Sequence, residues 1–245
     1  NDGSYHHIPS PDMPHISLDR KRARTSIFAL RKLIKEQQPA IVLAAITQAS
    51  IATWLATLFL KRKPIIIQVL QNNLKETLLK VPKLIGKFFT LALRKADKIV
   101  CASRGVCDAA IQEAGLRSNH AVTIYNGCNA SYITKQSREG QHNTSGRPTA
   151  VAVGRLTPQK NYPLMLKAAK IVTKEIPDFQ LWILGEGEEE AALRDYIRDH
   201  NLEEHVQLLG FQDNPFAYMK AADIHVLSSD YEGFGMVVAE ALLCG

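Results

Sequence analysis

The stretch TAVAVGRLTPQKN, residues 149–161, decides the fold. Five small or β-branched residues form a run with no polar alternation, a glycine follows, and two cations and a proline lead into a helical pattern. A strand that is apolar on both faces belongs in a parallel sheet covered by helices on both sides. The same unit then repeats downstream. A helix over 161–175 is followed by FQLWILG, a helix over 188–200, HVQLLG, a short helix near 216–221, and DIHVLSS as a last strand.

Upstream the rhythm is similar. IVLAAI (41–46), PIIIQVL (64–70), DKIVCAS (97–103) and AVTIY (121–125) read as strands, separated by helices over 50–60, around 75–95 and over 106–114. Between the two series, TKQSREGQHNTSGRP is polar, aperiodic and contains Gly and Pro, the composition of a linker. The expectation is an α/β chain of two Rossmann-like, doubly wound domains. Residues 1–133 form the first, 134–148 the linker and 149–245 the second, and both domains look incomplete.

The net charge of +6 conceals a division. Residues 1–145 hold 21 Lys and Arg against 9 Asp and Glu, a net +12, whereas residues 146–245 hold 9 against 15, a net −6. A basic half can face an anionic lipid surface, nucleic acid or a phosphorylated substrate. No aromatic stacking pattern or known motif supports nucleic acid, so none is expected. The four cysteines lack Cys-x-x-Cys or ligand spacing, and the histidines lack metal spacing, so reduced thiols and a cytoplasmic chain without a metal are expected. No leader and no long apolar span is visible, so secretion and spanning are not expected.

Ligands of open parallel sheets bind at the carboxyl ends of the strands, which directs attention to three turns. Gly185-Glu186-Gly187 invites a dinucleotide reading, but the third glycine is replaced by Glu190, and Glu188–Glu190 occupy the helix start where a pyrophosphate would sit. The turn after Gly154 carries Arg155 and Lys160, a guanidinium fork and a point charge suited to a diphosphate. Taken alone, two loop cations are usually solvated. In EGFG, Gly233 and Gly235 let backbone approach closely, and the amides at Met236 and Val237 open a helix free of acids at its start. Glu232 and Glu240 flank that turn with seven residues between them. Glu240 is placed to bind a vicinal diol such as ribose, and Glu232 to reach sugar hydroxyls. The turn by itself reads equally as a strand-to-helix junction with capping glutamates. As a set, the features describe a site for a nucleotide-diphosphate sugar.

GRLTPQKN (154–161), LWILGEGEEEAALRDYI (181–197), VQLLGFQDNPFAYMKAADIHVLSSDYEGFGMVVAEALLCG (206–245), ADKIVCASRGV (96–106) and VTIYNG (122–127) resemble family 4 retaining glycosyltransferases of the GT-B fold. The resemblance extends to a bacterial subgroup that builds surface polysaccharides and lipid-linked oligosaccharides, often from UDP-sugars. It implies that Arg155 and Lys160 neutralise the leaving diphosphate, Glu232 contacts the donor sugar and Glu240 holds the ribose. It further implies that Gly154, Gly233, Phe234, Gly235, Met236 and Val237 surround sugar and phosphate, that Gly210 and Phe211 border the base, and that Asn126 and Gly127 shape an interdomain cleft. The nucleotide sugar would be a substrate, with no cofactor. Where the family often has a histidine past the second strand, this chain has Gln71, Asn72 and Asn73, amides that can hydrogen-bond a sugar hydroxyl but cannot act as a base. Against the family's length, the chain reads as truncated at both ends.

LKETLLKVPKLIGKFFTLALRKADK (74–98) mixes lysines with leucines and phenylalanines as a basic amphipathic helix. Such a helix suits either a core or an anionic membrane surface, which would place the chain peripherally on the inner face of the plasma membrane with a polyprenyl-linked acceptor. Two other readings remain open at this stage, a GT-B nucleotide-sugar epimerase and a catalytically silent partner subunit of a transferase.

Overall fold

The structure, a computed structural model, describes residues 16–18, 23–140, 142 and 144–245. The chain divides into two units, 1–124 and 125–245.

In the first unit, α1 (Ala23–Gln37), β1 (Ile41–Ala45), α2 (Thr47–Thr57), β2 (Ile65–Leu70), α3 (Leu74–Lys80), α4 (Lys83–Arg94), β3 (Lys98–Cys101), α5 (Arg104–Ala114) and β4 (Ala121–Thr123) follow in order. The strands form a parallel sheet in the order β1-β2-β3-β4. The single helix expected around 75–95 is two helices. Pro82 has no amide hydrogen to give and forces Val81 into an extended conformation (φ −110°, ψ 151°), so the helix ends and restarts. Leu70, Leu74, Phe89, Leu93, Ile99 and Val106 pack into the core beneath α4 and α5.

The second unit comprises α6 (Ala130–Ser137), β5 (Thr149–Val153), a 3-10 turn (Pro158–Lys160), α7 (Tyr162–Glu175), β6 (Gln180–Leu184), α8 (Glu190–Asp199), β7 (Val206–Gly210), α9 (Pro215–Ala221), β8 (Ile224–His225) and α10 (Met236–Cys244). Its parallel sheet has the order β7-β6-β5-β8. Alternate residues of β5 and β6 bury on opposite faces. Ala150, Ala152, Leu181 and Ile183 meet α7 and α8, while Val151, Trp182 and Leu184 meet α6, α9 and α10. Two apolar faces per strand are what the unbroken run at 149–153 required.

Several elements differ from expectation: α1 has no counterpart among the expected helices, α2 begins three residues early, and β4 ends at Thr123. Residues 134–137, read as linker, are the end of α6, which Asn129 caps by accepting from the Tyr132 amide at 3.1 Å. Ile133 is buried in the second core, and Asn214 donates to the carbonyls of Gln136 and Glu139 at 2.9 Å each, tying α6 to α9. The last strand, expected over DIHVLSS, pairs only at Ile224 and His225. Among the described residues, no helix is long and apolar enough to cross a membrane.

Candidate functional site

Strands β6 and β7 lie on one side of β5, and β8 on the other. Chain segments leaving the carboxyl ends of β5 and β8 therefore diverge, and the crevice between them is where open α/β sheets bind ligands. Register fixes the two strands side by side, Val151 opposite His225.

The loops above this crevice are joined by four hydrogen bonds. The Asp230 amide donates to the Gln159 carbonyl at 3.0 Å, and Gln159 Nε2 to the Tyr231 carbonyl at 3.0 Å. Ser228 Oγ donates to the Lys160 carbonyl at 2.8 Å, and Asn161 Nδ2 to Asp230 Oδ1 at 2.7 Å. Within this frame Lys160 Nζ reaches Glu232 Oε1 at 2.6 Å. Two residues 72 positions apart in sequence thus form a charge-assisted contact.

Gly154 makes room for it. A β-carbon there would lie 3.3 Å from Lys160 Cε and 3.2 Å from the Tyr162 oxygen. The Tyr162 hydroxyl donates to the Gly154 carbonyl at 3.0 Å. Burial, and then the Glu232 carboxylate, push its acidity far below normal, so it stays a donor. Beneath, Gly185 and Gly187 let the β6–α8 turn meet the β5 loop: the Leu156 amide donates to the Glu186 carbonyl and the Glu189 amide to the Leu156 carbonyl. These glycines have a steric reason that needs no dinucleotide. Arg155 is exposed on the same loop.

Past β8, Gly233 is buried and Gly235 adopts the left-handed conformation (φ 73°) that starts α10. No acid lies in the first turn, so the amides of Met236 and Val237 open a helix with a positive end. The Phe234 ring sits 6.0 Å from that of Tyr125. Glu240, further along α10, is half-buried, and burial raises its pKa. His225 lies below the loops; burial first and the charge of Lys160 second lower its pKa.

Gly210 ends β7 in the left-handed conformation (φ 68°), and its carbonyl accepts from the Gly185 amide at 2.7 Å, with Phe211 half-exposed beyond it. At about 4.8 Å per strand, β7 stands roughly 10 Å from β5 along the same edge. Arg155, Lys160, Glu232, Gly235, Glu240, Gly210 and Phe211 therefore all belong to the carboxyl side of one sheet and the segments that follow it. Gln71 and Asn72 belong to the other unit, exposed at the carboxyl end of β2, just before Asn73 caps α3. Asn126 and Gly127 lie between β4 and α6, and a β-carbon on Gly127 would meet open space.

Sequence reasoning missed Gln159, Asn161, Tyr162, Ser228 and Asp230, which hold the loops, and Tyr125 and His225 beside them. Only Asn161 carried a local signal, as an Asn-Tyr-Pro helix start whose side chain accepts from the Leu164 amide.

Residues 134–245 match the family model described as glycosyl transferases group 1, and residues 3–132 the one described as Glycosyltransferase Family 4. The chain is 34% identical over 163 residues to the N-acetylgalactosamine-N,N'-diacetylbacillosaminyl-diphospho-undecaprenol 4-alpha-N-acetylgalactosaminyltransferase of Campylobacter jejuni, covering 66% of this chain and 43% of that protein. It is 38% identical over 96 residues to the poly(glycerol-phosphate) alpha-glucosyltransferase of Bacillus subtilis, covering 39% of this chain and 14% of that one. The chain thus spans less than half the length of these relatives. Among solved structures, it resembles Anabaena HepE in complex with UDP (TM-score 0.74, 22% identity, covering 89% of this chain and 60% of that one). It also resembles TarM of S. aureus in a complex containing UDP (TM-score 0.70, 20% identity, covering 91% and 43%). At such identities the likeness is one of fold, and it bears out the expected GT-B architecture. With a family model matched across more than half its length, the chain belongs to glycosyltransferase family 4.

Proposed function

We propose that this chain carries the donor site of a retaining glycosyltransferase. It moves a hexose or N-acetylhexosamine from a nucleotide-diphosphate sugar, UDP favoured, to a saccharide or lipid-linked saccharide during cell-surface polysaccharide synthesis. The observation that carries the reading is the meeting of Lys160 and Glu232 at the reversal point between β5 and β8. A cation for phosphate and an acid for hydroxyls stand together there, beside a loop bearing Arg155 and ahead of the positive end of α10.

The chemistry follows from that arrangement. As the glycosidic bond breaks, charge builds on the departing diphosphate. Arg155, Lys160 and the α10 amides are fixed donors that hold this charge more strongly in the transition state than in the ground state. Their charge does the work a metal does elsewhere, so the transfer is metal-independent. Glu240 takes the ribose diol, Glu232 orients the sugar, and Gly210 with Phe211 borders the base. Gln71, Asn72, Asn126 and Gly127 serve the acceptor side. Retention is in keeping with the two relatives' names, both of which specify alpha transfer. The diphospho-undecaprenol in the Campylobacter name supports a lipid-linked acceptor, and the UDP complexes of the structural neighbours support the base.

The same reading makes the enzyme cytoplasmic and peripheral on the inner face of the plasma membrane. In support, α4 exposes Leu84, Ile85, Phe88 and Leu91 next to Lys83 and Lys87, a basic amphipathic face suited to anionic lipid.

Calorimetric titration with UDP tests the donor site. Arg155→Ala and Glu240→Ala each weaken binding by about 10- to 100-fold, the worth of a hydrogen bond to a charged group. Unchanged affinity in both variants rejects the assignment.

A further inference from the structure

Both Lys160 and Glu232 are assigned to the donor above, yet each is occupied by the other. Their side chains are 17% and 24% exposed, so water screens the pair only in part. The loops beneath are held by four hydrogen bonds that involve neither charged group, through Gln159, Asn161, Ser228, Asp230 and the Lys160 carbonyl. The ion pair can therefore open by side-chain rotation while the backbone stays in place.

A bare nucleoside diphosphate arriving here meets a carboxylate already on the lysine. It must displace Glu232 or sit beside it, and two anions sharing one ammonium repel each other. A nucleotide sugar differs, because its hydroxyls are donors that a carboxylate freed from Lys160 can accept. We propose that Glu232 is a competing internal anion that selects the sugar nucleotide over the bare nucleoside diphosphate, by closing on Lys160 whenever no sugar is present. After transfer the sugar has gone, Glu232 loses its hydroxyl donors and returns to Lys160, and the nucleotide product is expelled. The inference rests on the donor-site reading above and adds to it a basis for preferring substrate to product.

The test is UDP binding by calorimetry to the 245-residue chain and three variants, each checked for native circular dichroism and thermal midpoint. Glu232→Gln removes the charge and keeps the shape, and it tightens UDP binding by about fivefold or more, the effect of freeing Lys160 from a partly shielded ion pair. Lys160→Met weakens UDP binding, and adding Glu232→Gln to Lys160→Met gains less than Glu232→Gln gains alone, because only the repulsion of the carboxylate is relieved and no cation is freed. Glu232→Ala, made in parallel, changes affinity in the same direction as Glu232→Gln. If UDP affinity falls or stays constant in folded Glu232→Gln while Lys160→Met still loses it, the competition is overturned and the donor site stands. If Lys160→Met leaves UDP binding unchanged, the lysine is no phosphate ligand, and both readings fall.

Discussion

A β-carbon on Gly185 would come within 2.0 Å of the Gly154 carbonyl oxygen, and the obstacle is backbone, so no side-chain adjustment relieves it. Its φ of +133° is a second reason for glycine. Gly185→Ala is therefore expected to cost about 2–4 kcal/mol in urea unfolding. It should also weaken UDP binding, because the loop carrying Arg155 and Lys160 rests on this turn. The glycines of this turn were legible in the sequence; what they are for was not. Their spacing imitated a dinucleotide motif, and the acids at Glu188–Glu190 argued against it, but the partner backbone lies about 30 residues upstream and leaves no mark in local composition. Lys160 and Glu232 show the opposite case. Their residue types and their positions after strands were readable, whereas their contact depended on which strand lies beside β5.

At the level of elements, periodicity located most strands and helices; it failed where a helix is short or interrupted, and it passed over the 15-residue α1 altogether. The eight residues of α6 present few apolar side chains, so its polar end read as linker; Asn214, 78 residues on from Gln136 in sequence, settles its place. The segment 75–95 kept one apolar period across Pro82, which hid the break. On α4, Phe89 and Leu93 face the core while Leu84 is 65% exposed. Leu84→Ser should leave urea stability within about 0.5 kcal/mol, as for a surface site. In vesicle co-sedimentation with phosphatidylglycerol, it should weaken binding by about tenfold, the loss of a leucine buried in the acyl boundary. Equal sedimentation of the variant and the unaltered protein would remove the membrane role of this face.

For the molecule as a whole, two partly buried imidazoles set an acid limit. Burial lowers the pKa of His142 and His225 below the ordinary 6.5, and Lys160 lowers His225 further. The unfolded chain binds these protons first as pH falls, so stability is present in full above pH 6.5 and is lost as pH drops through the folded values. The groups facing His225 that matter to this limb are Lys160 above it and Glu232 bound to Lys160. Urea midpoints measured from pH 7.5 down to pH 5 (about two and a half units, spanning an ordinary histidine) should fall, and His225→Phe should flatten part of that fall.

By itself the sequence determined the α/β class, the parallel strands, the two units and the residue types at the strand ends. These follow from apolar period and turn chemistry, which act over a few neighbouring positions. Only the tertiary structure decided that β8 returns to the far side of β5, that α6 joins the second unit, and that Lys160 and Glu232 meet. Each of those rests on hydrogen bonds and packing between segments some 70 or more residues apart, and no local pattern encodes the strand order that brings such segments together.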